Sequence, residues 1–394
     1  MGVARETFEA VFRRSLSVWT AGLLLATLNI LLFAYEKPWT AAEGLRNWGD
    51  WLARFAGGNA PSQLLPPWLF SGSVLNFGLV MGALTSALFS RQFVVRIAPP
   101  GELGKGLAGG LLMGLGATLA MGCNIGGFYS AFSAFSLAGP TMMFGLAVGA
   151  WLGARCLLWE SRRPTASSKG STWSLWAAPT TGPSLQPRLG AVCLALLALG
   201  VAVYAQQGLG QRGGLLLFGA LLGIILQRSR FCLVRAFREP FLSGGGEMTR
   251  AAALSLGVST LGFAVLKSSD LRSLDVFVFP SFWLGSLLGG VLFGVGMVLA
   301  GGCGASSLWR AGEGHVKLWA AVAGFATMAS LSRRFLEEQG WLARLGQAVF
   351  VPDWTGWPLA LALMLTVAVG WYLLAAWNEK AGRLASRSVE DACA

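Results

Sequence analysis

Charged side chains are scarce in this chain. Of its 394 residues, 12% are Asp, Glu, Lys or Arg, about half the share found in a water-soluble domain. So little charge cannot cover a protein surface in water, which excludes a soluble globular fold. Histidine occurs once, as His315, so a metal site or proton relay built on several histidines is excluded too. The six cysteines show no Cys-x-x-Cys spacing, and several fall inside apolar runs, which argues against a disulfide framework. The short alternating strands of a β-barrel are missing as well. No small-residue cleavage site follows Arg13, Arg14 and the first apolar stretch, so that stretch reads as a retained helix rather than a signal peptide.

What the chain does have is apolar length. Hydrophobic residues make up 54%, and mean hydropathy is +0.59. About 20 apolar residues span a bilayer core, and candidate spans lie near 16–35, 68–90, 105–122, 140–159, 188–205, 213–227, 250–266, 281–301, 315–330 and 357–377. The expectation is an all-α polytopic membrane protein with about 9–10 transmembrane helices plus short re-entrant half-helices. With the N-terminus in the cytoplasm, the inner segments hold 18 Lys/Arg and the outer ones 9. This excess places both termini inside. The net charge of +12 then reports positive-inside loops or an anionic cargo, in place of nucleic acid. Trp39, Trp48, Trp51 and Trp68 fit an outer interfacial belt.

A Ser/Thr/Pro-rich linker over 161–187 divides the chain nearly in half. Residues 107–123 (LAGGLLMGLGATLAMGC) and 287–303 (LLGGVLFGVGMVLAGGC) match at ten of 17 positions, each ending in Gly-Cys. Counting spans makes the two copies antiparallel. The expected organisation is therefore an N-terminal helix with an outer amphipathic segment (1–66), a first repeat (67–160), the cytoplasmic linker, an inverted second repeat (188–330), and a C-terminal loop and helix (331–394). Inverted repeats with broken helices are an arrangement of transporters. GCNIGG at 122–127 and GGCGASS at 301–307 supply the breaks.

At such a break a half-helix presents free N–H groups and the positive end of its dipole, which favour an anion. Gly122, Gly126, Gly302 and Gly304 leave room for close approach, and Cys123 and Cys303 add small polarizable S–H donors. By inversion these two thiols are expected to face each other across the centre. Asn124 either donates an amide N–H to an anion or ties down the broken backbone. A third element, QRSRFCLVRAFREPF at 227–241, sets Cys232 among Arg228, Arg230 and Arg235 at a presumptive cytoplasmic mouth. SRQFVVR at 90–96 aligns with it and carries Val94 in place of the cysteine.

These elements resemble those of the YeeE/YedE sulfur-transport family of bacterial inner-membrane proteins, over roughly residues 68–330. The resemblance implies thiosulfate uptake along a narrow path, with Cys123 and Cys303 as central relay residues and Cys232 as the cytoplasmic one. It also implies a TusA-type sulfur carrier as a cytoplasmic partner, alongside membrane lipid, and no catalytic activity, cofactor or metal. AGEG at 311–314 is similar to a branch associated with selenium, so a selenium species or another sulfur compound is the alternative cargo. A membrane dithiol redox protein using Cys123 and Cys303 is a more distant alternative. Cys156, Cys193 and Cys393 read as packing residues, His315 as an interfacial residue, and Glu313 as a helix cap in preference to a proton-coupling group.

Overall fold

A computed structural model describes residues 15–57, 63–162, 173–175 and 185–381. Arg13, Arg14, Cys393 and most of the expected linker lie outside the described residues. The helices are α1 (Val18–Tyr35), α2 (Ala42–Phe55), α3 (Ser71–Phe89), α4 (Pro100–Leu119), α5 (Asn124–Ser133), α6 (Ala138–Ser161), α7 (Gln186–Gln206), α8 (Gly210–Ser229), α9 (Leu233–Leu242), α10 (Glu247–Ser268), α11 (Leu284–Ala300), α12 (Gly304–Gly312), α13 (Val316–Glu338), α14 (Val351–Thr355) and α15 (Trp357–Ala381). Among the described residues only two short strands occur, Val95–Ile97 and Trp173–Leu175, paired antiparallel.

Among the described residues, eight stretches are long and apolar enough to cross a membrane, nine when α4 and α5 count as one bent span. The protein is thus an all-α multi-pass membrane protein. The ninth expected span, 315–330, does form a helix (α13) but is not among those stretches. Its polar groups are matched by neighbours: Lys317 pairs with Glu102 of α4 at 2.6 Å, and Arg334 reaches Asp50 of α2 at 3.3 Å.

Glycine explains how so many helices pack closely. Small residues let backbones touch where lipid offers no hydrophobic drive for association. A methyl on Gly109 would lie 2.5 Å from Gly296 O, and one on Gly116 would lie 2.6 Å from Gly289 O, so α4 and α11 run antiparallel in backbone contact. Under the 180-residue repeat, Gly109 maps to Gly289 and Gly116 to Gly296, so these two contacts exchange. The flanking pairs do the same. A methyl on Gly290 would sit 2.8 Å from Met142 O of α6, and one on Gly110 would sit 2.2 Å from Ala321 O of α13. A pseudo-two-fold axis therefore crosses between α4 and α11 and relates two inverted sets of helices.

Three helices are interrupted, two of them (α4–α5 and α11–α12) at corresponding places of the repeat. α4 and α5 meet at 42°, while α11 with α12 (Leu284–Gly312) and α8 with α9 (Gly210–Leu242) form apolar paths of 29 and 33 residues. Left-handed backbone marks each interruption: Met121 at φ +57°, Gly301 at φ +78° and Arg230 at φ +56°. Only glycine adopts that conformation without steric cost, which is roughly 1–2 kcal/mol for other residues.

The glycine contacts give a paired test. Gly116→Val is expected to prevent recovery of a monodisperse protein in detergent. Gly370→Ala, on α15 with nothing within 4 Å of the added methyl, should leave size-exclusion behaviour intact and raise helix stability by about 0.5–1 kcal/mol.

Candidate functional site

The breaks bring helix N-termini together in the interior. Cys123 caps α5 with φ −75° and ψ 179°, and Cys303 caps α12 with φ −85° and ψ −176°. The same sequence motif thus gives nearly the same backbone in both halves. Cys232 is also a cap, at the start of α9. Sequence reading put Cys232 at a mouth and did not see this third half-helix, because LVRAFREPFL reads as a charged loop. The fourth is α2, capped by Ala41. The segment leading into it is buried, with Trp39 4%, Thr40 3% and Ala41 0% exposed.

Short distances connect the four. Thr40 Oγ1 is 3.9 Å from Cys123 Sγ, and a methyl on Gly304 would meet Ala41 Cβ at 3.7 Å. The Asn124 carboxamide lies beside the Cys303 thiol. Its Oδ1 and Nδ2 close no hydrogen bond of ordinary geometry among the described residues. Cys232 Sγ donates to Ser306 Oγ at 3.7 Å, and Ser306 Oγ is 2.9 Å from Cys303 Sγ.

Ser306 holds this arrangement. It occupies the N3 position of α12, accepts from Cys303 N at 2.8 Å, and forms a capping box with the cysteine. Such boxes satisfy two orphan amides reciprocally. Sequence reading missed Ser306, although the three-residue spacing from Cys303 was the available signal. The first half solves the same problem differently. Its N3 position is Gly126, where a side chain would strike Thr40 Oγ1 at 2.5 Å. The missing side chain makes room for a hydroxyl from another segment.

Around Cys303, Ser306 and Cys232 lies a cavity of about 30 Å³, also lined by Trp39, Tyr129 and Trp309. That is room for a water molecule or so, and no carboxylate stands among its lining residues. The buried indole N–H groups of Trp39 and Trp309 and the Ser307 hydroxyl have no hydrogen-bond partner among the described residues. Unpaired buried donors are costly, and of these three side chains Trp39 and Trp309 line the cavity, where a transient acceptor would meet them. Cys123 is buried but does not line this cavity; it meets the central group through Thr40 and its neighbour Asn124.

One end of the cavity is closed by ion pairs. Arg230 and Arg310 lie 5.4 Å and 5.2 Å from the Trp309 ring. Arg230 also donates to the fully buried Glu313 at 2.6 Å, and Gln227 donates to the other carboxylate oxygen at 2.9 Å. Glu313 therefore does not cap the start of α13, where His315 occupies the N-cap position; it is the C-cap residue of α12 instead. Of the other basic residues, Arg228 is buried and Arg235 pairs with Glu239 at 2.6 Å. Val94 lies at this end too, where its N–H donates to Glu313 O at 3.3 Å. The partner of Cys232 in the first half is consequently not Val94. α2 follows α1 as α9 follows α8, so the counterpart by fold is Ala41.

The "Sulphur transport" family model matches residues 3–152 and 228–392. The chain belongs to that family. It is 31% identical over 244 residues to the probable transporter YedE of Salmonella typhimurium, covering 61% of this chain and 60% of the relative. To the thiosulfate transporter TsuA of Escherichia coli it is 38% identical over 118 residues, or 30% of this chain and 33% of that one. A TsuA from Spirochaeta thermophila is 36% identical over 134 residues, 34% and 39% of the two chains. The match thus spans about three-fifths of the YedE relative's length.

His315 gives a pH test for this end of the molecule. Burial first, then the cations Arg96, Arg310 and Arg230, push its imidazole down to about 4, against about 6.5 in an unfolded chain. It stays neutral at physiological pH, and Arg96 Nη1 donates to its Nε2 at 3.0 Å. The unfolded chain takes up this proton first, so stability is complete above pH 6.5 and declines as pH falls toward 4. Thermal melts over that window should show a steeper loss for the wild type than for His315→Gln.

Proposed function

We propose that the protein carries a small divalent sulfur oxyanion, thiosulfate, inward across a bacterial inner membrane, with both termini in the cytoplasm. The observation that carries this reading is the convergence of four helix N-termini, three of which (α5, α9 and α12) contribute residues to a small carboxylate-free cavity lined by thiol-, hydroxyl- and indole-bearing side chains. Each N-terminus is worth roughly +0.5 of a charge, so four offset roughly two negative charges without any basic side chain in the cavity. Fixed partial charges attract an anion yet do not trap it as a lysine would. The names of the TsuA relatives support thiosulfate as the cargo.

The path of the anion runs from Cys123 and Thr40, past Asn124, to Cys303 and Ser306, then to Cys232. The thiols act as neutral S–H donors to the terminal sulfur and oxygens. A thiolate would repel the dianion by several kcal/mol at 4 Å in a low-dielectric site. The cavity is smaller than thiosulfate, so passage requires the Trp39, Tyr129 and Trp309 side chains to move aside. At the far end Arg230 receives the anion while Glu313 keeps that arginine from holding it. There a TusA-type carrier protein collects the sulfur on the cytoplasmic side.

Uptake of labelled thiosulfate into liposomes tests the reading. Cys303→Ala and Cys232→Ala should each lower uptake about tenfold or more, the loss expected for one hydrogen bond to a charged group. Full uptake by both alanine variants, normally inserted, would refute the reading. Glu313→Gln should lower Vmax and KM together, because the freed Arg230 then retains the anion. Wild-type kinetics in that variant would remove the release role given to Glu313.

A further inference from the structure

The two ends of the passage differ in how their arginines are treated. At the His315 end, Arg230 is held by Glu313, and Arg310 donates to Gly301 O at 3.1 Å. At the other end, a cavity of about 50 Å³ opens beside the α4–α5 break, lined by Arg46, Arg333, Glu43, Thr118, Met121 and Gly122 among others. His315 and Arg333 stand 18 residues apart along α13, roughly 27 Å at helical rise.

Charge at this second cavity is not balanced. Glu43 is already paired with Lys37, and Arg333 gives only its Nε to Glu337. Arg46 is half-buried and has no hydrogen bond or ion pair among the described residues. It lies five residues from Ala41, about one helical turn and a half from the central N-terminus of α2. Gly122 in the wall directly precedes Cys123. The cavity therefore adjoins the central group and presents a cation with no acceptor.

Building on the function proposed above, we propose that Arg46, with Arg333, forms a docking site for a small divalent oxyanion at the α2 end of the passage. Planar guanidinium groups match the oxygens of such an anion and bind them through paired N–H donors. Docking concentrates the anion next to the Met121–Gly122 break, and the weaker neutral donors of the centre then draw it inward. Strong charge at arrival and compensated charge at departure give the passage its direction of easy flow.

Initial rates of thiosulfate uptake by the full chain in liposomes provide the test. Arg46→Gln should raise KM about tenfold and leave Vmax within twofold, whereas Arg46→Lys should restore KM to within about threefold of wild type. The control Arg54→Gln, on the same helix away from the cavity, should leave KM unchanged. Added salt should raise KM more steeply in the wild type than in Arg46→Gln, since the attraction is screened. An unchanged KM in Arg46→Gln overturns the docking site, as does an equal rise in Arg54→Gln, which reports surface charge alone. Wild-type liposomes that take up no thiosulfate overturn the transport reading itself. Cys303-dependent uptake with a normal KM in Arg46→Gln removes only the docking site.

Discussion

The centre of this protein depends on one constraint: backbone amides at membrane depth must find an acceptor or a partner. Breaking a helix inside the bilayer frees amides that no water can reach. Here four such openings converge, and a side-chain cap answers the need at one of them. Cys303 and Ser306 satisfy each other across one turn, and Thr40 stands against Cys123. What the caps leave over is a set of donors with nothing to donate to, the indoles of Trp39 and Trp309 and the amide of Asn124. In the function proposed above, a passing anion supplies the missing acceptor for a moment, and its departure restores a state the scaffold already tolerates.

Glycine makes the constraint affordable by holding the scaffold rigid around the breaks. Backbone-to-backbone contact between α4 and α11, α6 and α11, and α4 and α13 leaves little freedom for the half-helices to shift. The contact pairs exchange under the pseudo-two-fold, so one packing geometry serves twice. The two halves are not chemically equal, however. The second contributes Cys303, Ser306 and Cys232 to the cavity wall, while Ala41 takes the place that Cys232 holds. Arginine treatment is likewise one-sided, with Arg230 clamped by Glu313 and Arg46 left open. Inverted repeats supply a symmetric frame, and the proposed direction of passage rests on such departures from symmetry.

The sequence by itself determined the membrane class, the inverted repeat and the identity of two caps. Scarcity of charge, continuous apolar runs and Gly-Cys at the same point of two copies are local signals, read without knowing what touches what. Tertiary structure alone decided the rest. α9 and α2 became half-helices because the interior needed their N-termini, although LVRAFREPFL and the residues after Trp39 read as loop and outer segment. Glu313 looked like a cap in a Gly-flanked turn, yet its carboxylate is spent on Arg230 and Gln227, which lie more than 80 residues away. Ser306 and Thr40 acquire their roles only beside thiols whose distance depends on how helices cross. Periodicity and composition fix what a segment can be, but which donors share a cavity is set by packing between segments distant in the chain, and no local pattern carries that information.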